Sequence, residues 1–221
     1  MLGIGPSPSS ALVSDAKKLE SMGVAFLCIP CHTAHNFIED VSKAVSIPVI
    51  DMVDLALLHV VETMGPSVSV GILASAGTVT SGLYQRRAAR IAADLRIVCP
   101  TSDSQSEVSD ATHGERGVKA GYTDERVRGI LTKAAENLTL RGAQVVIAAC
   151  TEVSIGMPTV PRLLPSSPLA PEAAVPVTKS SQPGSPSNGV HPSVTVLVLD
   201  PMRLMAEEAL RRCGAHAAAQ T

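Results

Sequence analysis

The chain has 221 residues, enough for one sizeable domain or for two small lobes sharing a cleft. Its 45% hydrophobic content is ordinary, but with 2% aromatic residues and no Trp the core must be built from Val, Ile, Leu, Ala and Met. A net charge of -2 gives no electrostatic case for nucleic acid or an anionic membrane, and no apolar run nears the roughly 18 residues that span a bilayer.

Residues 1–9 read as a loose start. A helix is expected from Ser10, capped by that serine, with Leu12, Ala16, Leu19 and Met22 as its apolar stripe and Gly23 as its stop. Val24–Pro30 reads as a strand, Ala34–Val45 as a helix, Ile47–Met52 as a short strand and Val53–Thr63 as a helix. Val68–Ala74 is a second strong strand, ending in the small-residue loop Ser75–Thr78, which lets a ligand approach the backbone closely. Thr80–Ala93 then reads as a helix and Arg96–Cys99 as a strand. The polar stretch 101–121 predicts a short helix and a loop carrying Lys119. Thr123 is expected to cap a long helix that stops at Gly142, and Gln144–Cys150 is a buried strand. From Pro158 to Ser193 prolines and serines alternate, a composition that buries too little apolar surface to offset its ordering entropy. Val194–Leu199 is the last strand, and Asp200–Cys213 a helix ended by Gly214.

Alternating strands and helices predict an α/β fold with doubly wound parallel sheets. The expected division is a first lobe from residues 1–63 with 194–221, a second from 64–157, and a Pro/Ser-rich disordered insertion over 158–193. The N-terminus lacks the charged-then-apolar order of a secretory signal. The five cysteines (Cys28, Cys31, Cys99, Cys150, Cys213) are odd in number and scattered, which predicts free thiols in the cytoplasm.

Two stretches carry the chemistry. Phe26-Leu-Cys-Ile-Pro-Cys-His-Thr-Ala-His35 and Val145-Val-Ile-Ala-Ala-Cys-Thr-Glu-Val153 are both apolar runs ending in Cys-(His)-Thr, each followed by a segment able to start a helix. Cys31 and Cys150 are thereby expected at strand C-terminal ends, where open α/β sheets bind ligands. Free backbone N–H groups at a helix start lower a thiol's pKa there. One such thiol per half predicts a reaction worked from both sides of a substrate.

At these residues the chain resembles the cofactor-independent aspartate/glutamate racemase family, and its aspartate racemase branch in particular. The family's signatures, approximately Pro-Cys-Asn-Thr-Ala-His and Gly-Cys-Thr-Glu-Ile, stand here as Pro30-Cys31-His32-Thr33-Ala34-His35 and Ala149-Cys150-Thr151-Glu152-Val153. Further similar segments run through Pro48–Met52, Ala74–Thr78, Gly82–Tyr84, Lys119–Gly121 and Asp200–Glu207. His32 replaces an Asn used near substrate, and Ala149 replaces a Gly. The family also begins with a further strand, a glycine-rich loop and an arginine that binds substrate carboxylate. Nothing before Ser10 matches these, so an N-terminally truncated member is expected.

The resemblance implies two lobes related by a pseudo-twofold axis with an active-site cleft between them. It implies racemisation of aspartate or glutamate without pyridoxal phosphate or metal, and a homodimer. Cys31 and Cys150 would be the two bases; His32, Thr33, Thr78, Lys119 and Thr151 would bind the substrate. The chemistry fits the residue types: a weak Cα acid needs a close, desolvated base, inversion needs one on each face, and the carbanion needs donors at the carboxylate. His35 is read as stabilising the first helix turn, Cys99 and Cys213 as structural, and His113 carries no signal. Cys28-Ile-Pro-Cys31-His32 also fits covalent haem attachment, and with His35 a zinc cluster, but a strand cannot easily converge those four side chains. Two other readings remain open: a related isomerase or decarboxylase of the superfamily, and a catalytically silent binding protein.

Overall fold

The computed structural model describes residues 7–157 and 196–218, with side chains described as far as Gly214. The expected insertion at 158–193 lies outside the described residues. In chain order the elements are α1 (Ser9–Ser21), β1 (Leu27–Cys28), α2 (Ile38–Ala44), β2 (Val49–Ile50), α3 (Met52–Met64), β3 (Ser69–Ala74), α4 (Ala76–Thr80), α5 (Leu83–Ile91), β4 (Arg96–Val98), α6 (Ser102–His113), α7 (Glu125–Leu140), β5 (Val145–Ala149), α8 (Thr151–Gly156), β6 (Val198–Leu199) and α9 (Pro201–Ala218). Two 3-10 turns, Thr33–Phe37 and Val118–Ala120, precede α2 and α7.

The fold is α/β with two parallel sheets. One pairs β1 with β2; the other has the order β4-β3-β5-β6. Strands β3 and β5 are central, and their near-unbroken burial explains their Val/Ile/Ala-rich runs. Alternate residues serve opposite faces. Val70, Ile72, Val145 and Ile147 pack with Val53, Leu57 and Val60 of α3 and Leu83, Tyr84 and Ala88 of α5. Leu73, Val146, Ala148 and Cys150 pack with Val108 of α6 and Val127, Leu131 and Leu138 of α7. Gly71 lies on this second face, where a Cβ would stand 3.0 Å from Ala143 Cβ and 3.1 Å from Leu138 Cβ, so a side chain there would require these neighbours to give by a few tenths of an ångström.

The small sheet is also covered twice. Leu27 packs with Ala16 of α1 and Val41 of α2, while Ile50 and Met52 pack with Met205 of α9. The last described segment therefore crosses between sheets. Its strand β6 pairs with β5, Val146 opposite Val198, whereas its helix α9 lies against the small sheet and α3. Strand β6 thus belongs to the larger sheet, and helix α9 packs on the small sheet and on α3.

Several boundaries differ from the sequence reading for local reasons. Pro8, not Ser10, precedes α1, and no side chain caps it. The expected helix over 34–45 begins as a 3-10 turn, and the loop after β3 forms α4, capped by Ser75. The helix in 101–121 has 12 residues, its buried Ser104, Val108, Ala111 and Thr112 falling at helical spacing. Asp124 rather than Thr123 caps α7, accepting from the Val127 N–H at 3.0 Å. Helix α9 runs through Gly214.

Candidate active site

Strands β1, β2, β3 and β5 deliver Cys31, Asp51, Ser75 and Cys150 just beyond their C-terminal ends. Ala74 pairs with Ala149 in register, so Ser75 and Cys150 leave adjacent strands at the same level. Hydroxyl contacts join the first cysteine loop to this edge. Thr33 Oγ1 lies 3.1 Å from Ser75 Oγ and 2.8 Å from Thr78 Oγ1, a three-hydroxyl cluster closed by a 3.1 Å contact between Ser75 and Thr78. Thr151 Oγ1 donates to the Pro30 carbonyl at 3.1 Å, which clasps the residue after Cys150 to the residue before Cys31.

The two thiols differ. Cys31 is exposed, on a loop that its backbone N–H tightens by donating to Ile29 at 2.8 Å. Cys150 is buried at the N-cap of α8, and its thiol donates to Glu152 Oε2 at 2.9 Å. The sequence reading expected the helix start to lower this thiol's pKa. The backbone N–H groups of Glu152 and Val153 do act that way, but burial and the Glu152 carboxylate outweigh them and push it up to about 12. Cys150 is therefore a proton-carrying thiol at neutral pH. Burial also pushes Glu152 up, yet hydrogen bonds from Cys150 and its own backbone, with the charges of His113 and Lys119, hold it below the usual range. Glu152→Gln removes the carboxylate that holds the thiol proton. The Cys150 pKa is expected to fall and its iodoacetamide alkylation at pH 8 to accelerate, about tenfold per unit of fall. An unchanged or slower rate would show that burial alone sets the thiol.

His32 is buried. It is 2% exposed, stacked against Tyr84 with ring centroids 6.2 Å apart, and neither nitrogen has a hydrogen-bond partner among the described residues. Burial, and to a lesser degree His35, drives its pKa down to about 3. The unfolded chain, with an ordinary imidazole, binds more protons between about pH 6.5 and about 3. Stability from neutral His32 is thus full above about 6.5 and lost as pH falls toward about 3. His32→Phe is expected to flatten that acid-side decline in urea titrations at pH 7 and pH 4; the same decline in both proteins would clear His32.

His35 does more than stabilise a turn. The Met52 N–H donates to its Nε2 at 3.1 Å, which leaves the ring proton on Nδ1, 2.8 Å from the Cys31 carbonyl. Burial lowers its pKa, so a neutral imidazole ties the Cys31 loop to the start of α3. That start is fixed by Asp51, which accepts from the Val53 and Asp54 N–H groups at 3.0 and 3.1 Å. Arg87, 8% exposed, pairs with Asp51 at 2.9 Å and Asp54 at 3.2 Å.

Lys119 is exposed on the turn Val118–Ala120, beside α8, where its charge reaches Glu152. The structure thus brings Cys31, Thr33, Thr78, Cys150 and Thr151 to one edge, sets Lys119 at its rim and turns His32 inward. His113, given no weight by the sequence reading, ends α6 with a ring nitrogen within 4.8 Å of the Cys150 sulfur and a Glu152 oxygen. Only tertiary packing brings it there, so no local signal marked it.

Residues 4–180 match the family model described as Asp/Glu/Hydantoin racemase. The chain belongs to the Asp/Glu/hydantoin racemase family. Within this racemase family it is 32% identical over 76 residues to the broad specificity amino-acid racemase RacX of Bacillus subtilis (strain 168), covering 34% of this chain and 32% of that one. It is 26% identical over 152 residues to the glutamate racemase of Corynebacterium kroppenstedtii, covering 66% of this chain and 50% of the relative. The matches thus span about a third and a half of these relatives' lengths. An aspartate racemase homologue from Pyrococcus horikoshii OT3 superposes with a TM-score of 0.64 at 17% identity, covering 93% of this chain and 74% of the other. The aspartate racemase of Picrophilus torridus gives 0.57 at 22%, covering 71% and 62%. At these identities the likeness to the racemase structures is one of fold. Among the described residues no helix is long and apolar enough to cross a membrane.

Proposed function

We propose that the chain interconverts the enantiomers of a small acidic amino acid, aspartate or glutamate, by two-cysteine proton transfer at Cα without pyridoxal phosphate or metal. The observation that carries this reading is the 3.1 Å clasp from Thr151 Oγ1 to the Pro30 carbonyl, which joins the two cysteine loops from either side. One cysteine takes the Cα proton while the other returns a proton to the opposite face, the roles reversing with direction. The protonated state of Cys150 suits it to donate first. Thr33, Thr78 and Thr151, with backbone N–H groups at the helix starts, would receive the α-carboxylate, and Lys119 the distal one. His32, packed inward, would act by shaping the Cys31 loop rather than by touching substrate. In this reading one lobe, residues 1–63 with 194–221, and a second, 64–157, flank the cleft, and the protein works in the cytoplasm as a homodimer.

Solvent deuterium incorporation at Cα, followed by NMR with L-aspartate and then L-glutamate, tests the reading. Exchange with appearance of the D-isomer is expected and identifies the substrate. Exchange without inversion would leave one working base. No exchange with either would overturn the proposal in favour of a silent binding protein.

A further inference from the structure

We propose that His113, Cys150 and Glu152 form a binding site for one soft divalent cation of the Zn2+ class. Their ligand atoms, one nitrogen, one sulfur and one carboxylate oxygen, lie within 4.8 Å of one another. Zinc takes these atom types at about 2.0–2.3 Å in a tetrahedron, whose edges are then about 3.3–3.8 Å. The sulfur and carboxylate oxygen, 2.9 Å apart, need to open by about 0.5 Å, and the histidine nitrogen to close by no more than about 1.5 Å. His113 is exposed at the end of α6, so its ring can make that approach.

The surroundings support the imidazole as a ligand. Thr112 Oγ1 donates its own proton to the Val108 carbonyl at 2.7 Å and lies 2.8 Å from His113 Nδ1. The hydroxyl therefore accepts from Nδ1–H, and the free lone pair falls on Nε2. An oxygen acceptor behind the second nitrogen is the usual support of a metal-bound histidine. The thiol already donates to Glu152 Oε2 at 2.9 Å, so a path for its proton exists. On binding, the S–H bond breaks, the proton passes by way of Glu152 to water, and a sulfur–metal bond forms. Thiolate and carboxylate together neutralise the dication. Three protein ligands leave a fourth position for water, and the thiolate selects against Mg2+ and Ca2+.

This site differs from the Cys28, Cys31, His32 and His35 cluster weighed from the sequence. There His35 has both nitrogens engaged, and so has no lone pair to give. Binding is separate from racemisation: a metal-held sulfur cannot donate a proton, so the cation would act as an inhibitor of the activity proposed above.

The test is anaerobic Co2+ titration of the full chain without amino acid, read by absorbance. One equivalent is expected to give a thiolate-to-cobalt charge-transfer band, displaced by one equivalent of Zn2+ and untouched by excess Mg2+. His113→Ala and Cys150→Ser are each expected to weaken binding by at least about tenfold, and Cys31→Ser to leave it intact. No saturable band, or a band that survives His113→Ala and Cys150→Ser unchanged, would overturn the site. The readout needs no turnover, so failure of the racemase reading and failure of this one are distinguishable.

Discussion

Cys31→Ser and Cys150→Ser are each expected to slow racemisation by about 10³-fold, within the range that one general acid or base contributes. The two variants should not fail alike. With Cys150 replaced, the enantiomer whose Cα–H faces Cys31 can still lose its proton and recover it on the same face, exchanging deuterium without inverting. With Cys31 replaced, the opposite enantiomer should show this one-sided exchange. Serine is close to cysteine in shape and its hydroxyl can still donate to Glu152 Oε2, so a loss there reads as chemistry rather than a collapsed core. Racemisation unchanged in either variant would rule out a two-base mechanism.

Arg87→Met is expected to lower unfolding free energy by about 3 kcal/mol, measured by urea titration at pH 7. Breaking a buried pair by removing one partner costs roughly 3–5 kcal/mol because the other charge stays behind. The low end applies here, since Asp51 and Asp54 side chains are 20% and 35% exposed and water relieves part of the penalty. The damage should travel. Asp51 caps α3, the Met52 N–H holds His35, and His35 holds the Cys31 carbonyl. Arg87→Lys keeps the charge but loses the planar fork that meets both carboxylates, and about 1 kcal/mol is expected. A loss below about 0.5 kcal/mol for Met would mean that the carboxylates are well solvated without Arg87.

Much of this architecture was legible in the sequence because burial leaves a local trace. Strands β3 and β5 are covered on both faces and so appear as unbroken apolar runs. The cysteine loops were legible because the residues after each strand end are short-range in sequence. What the sequence hid is either a contest between near-equivalent signals or a tertiary effect. Thr123 and Asp124 are both good caps, and the helix takes the second, whose carboxylate accepts from the Val127 N–H. Gly214 can stop a helix or be carried by one. The state of Cys150 was misjudged because the helix-start effect is local, whereas the burial that overrides it comes from α6 and α7. His113 joins the site from a different helix, and the second role of His35 depends on Met52, seventeen residues later.

The crossover from β6 to α9 also imposes an order of assembly during synthesis. Strands β3, β4 and β5 and helices α5–α7 arise from one contiguous stretch and can consolidate as they leave the ribosome. The small sheet cannot do so. It has two strands of two residues each, a size that is marginal without cover, and Ile50 and Met52 wait for Met205. The Cys31 loop can already be tied to the larger sheet through Thr33 and Thr151, while the second cover of the small sheet waits for α9. The segment from Val196 to α9 thus completes both sheets at once, since Val196 and Val198 also pack in the cluster that holds Cys150.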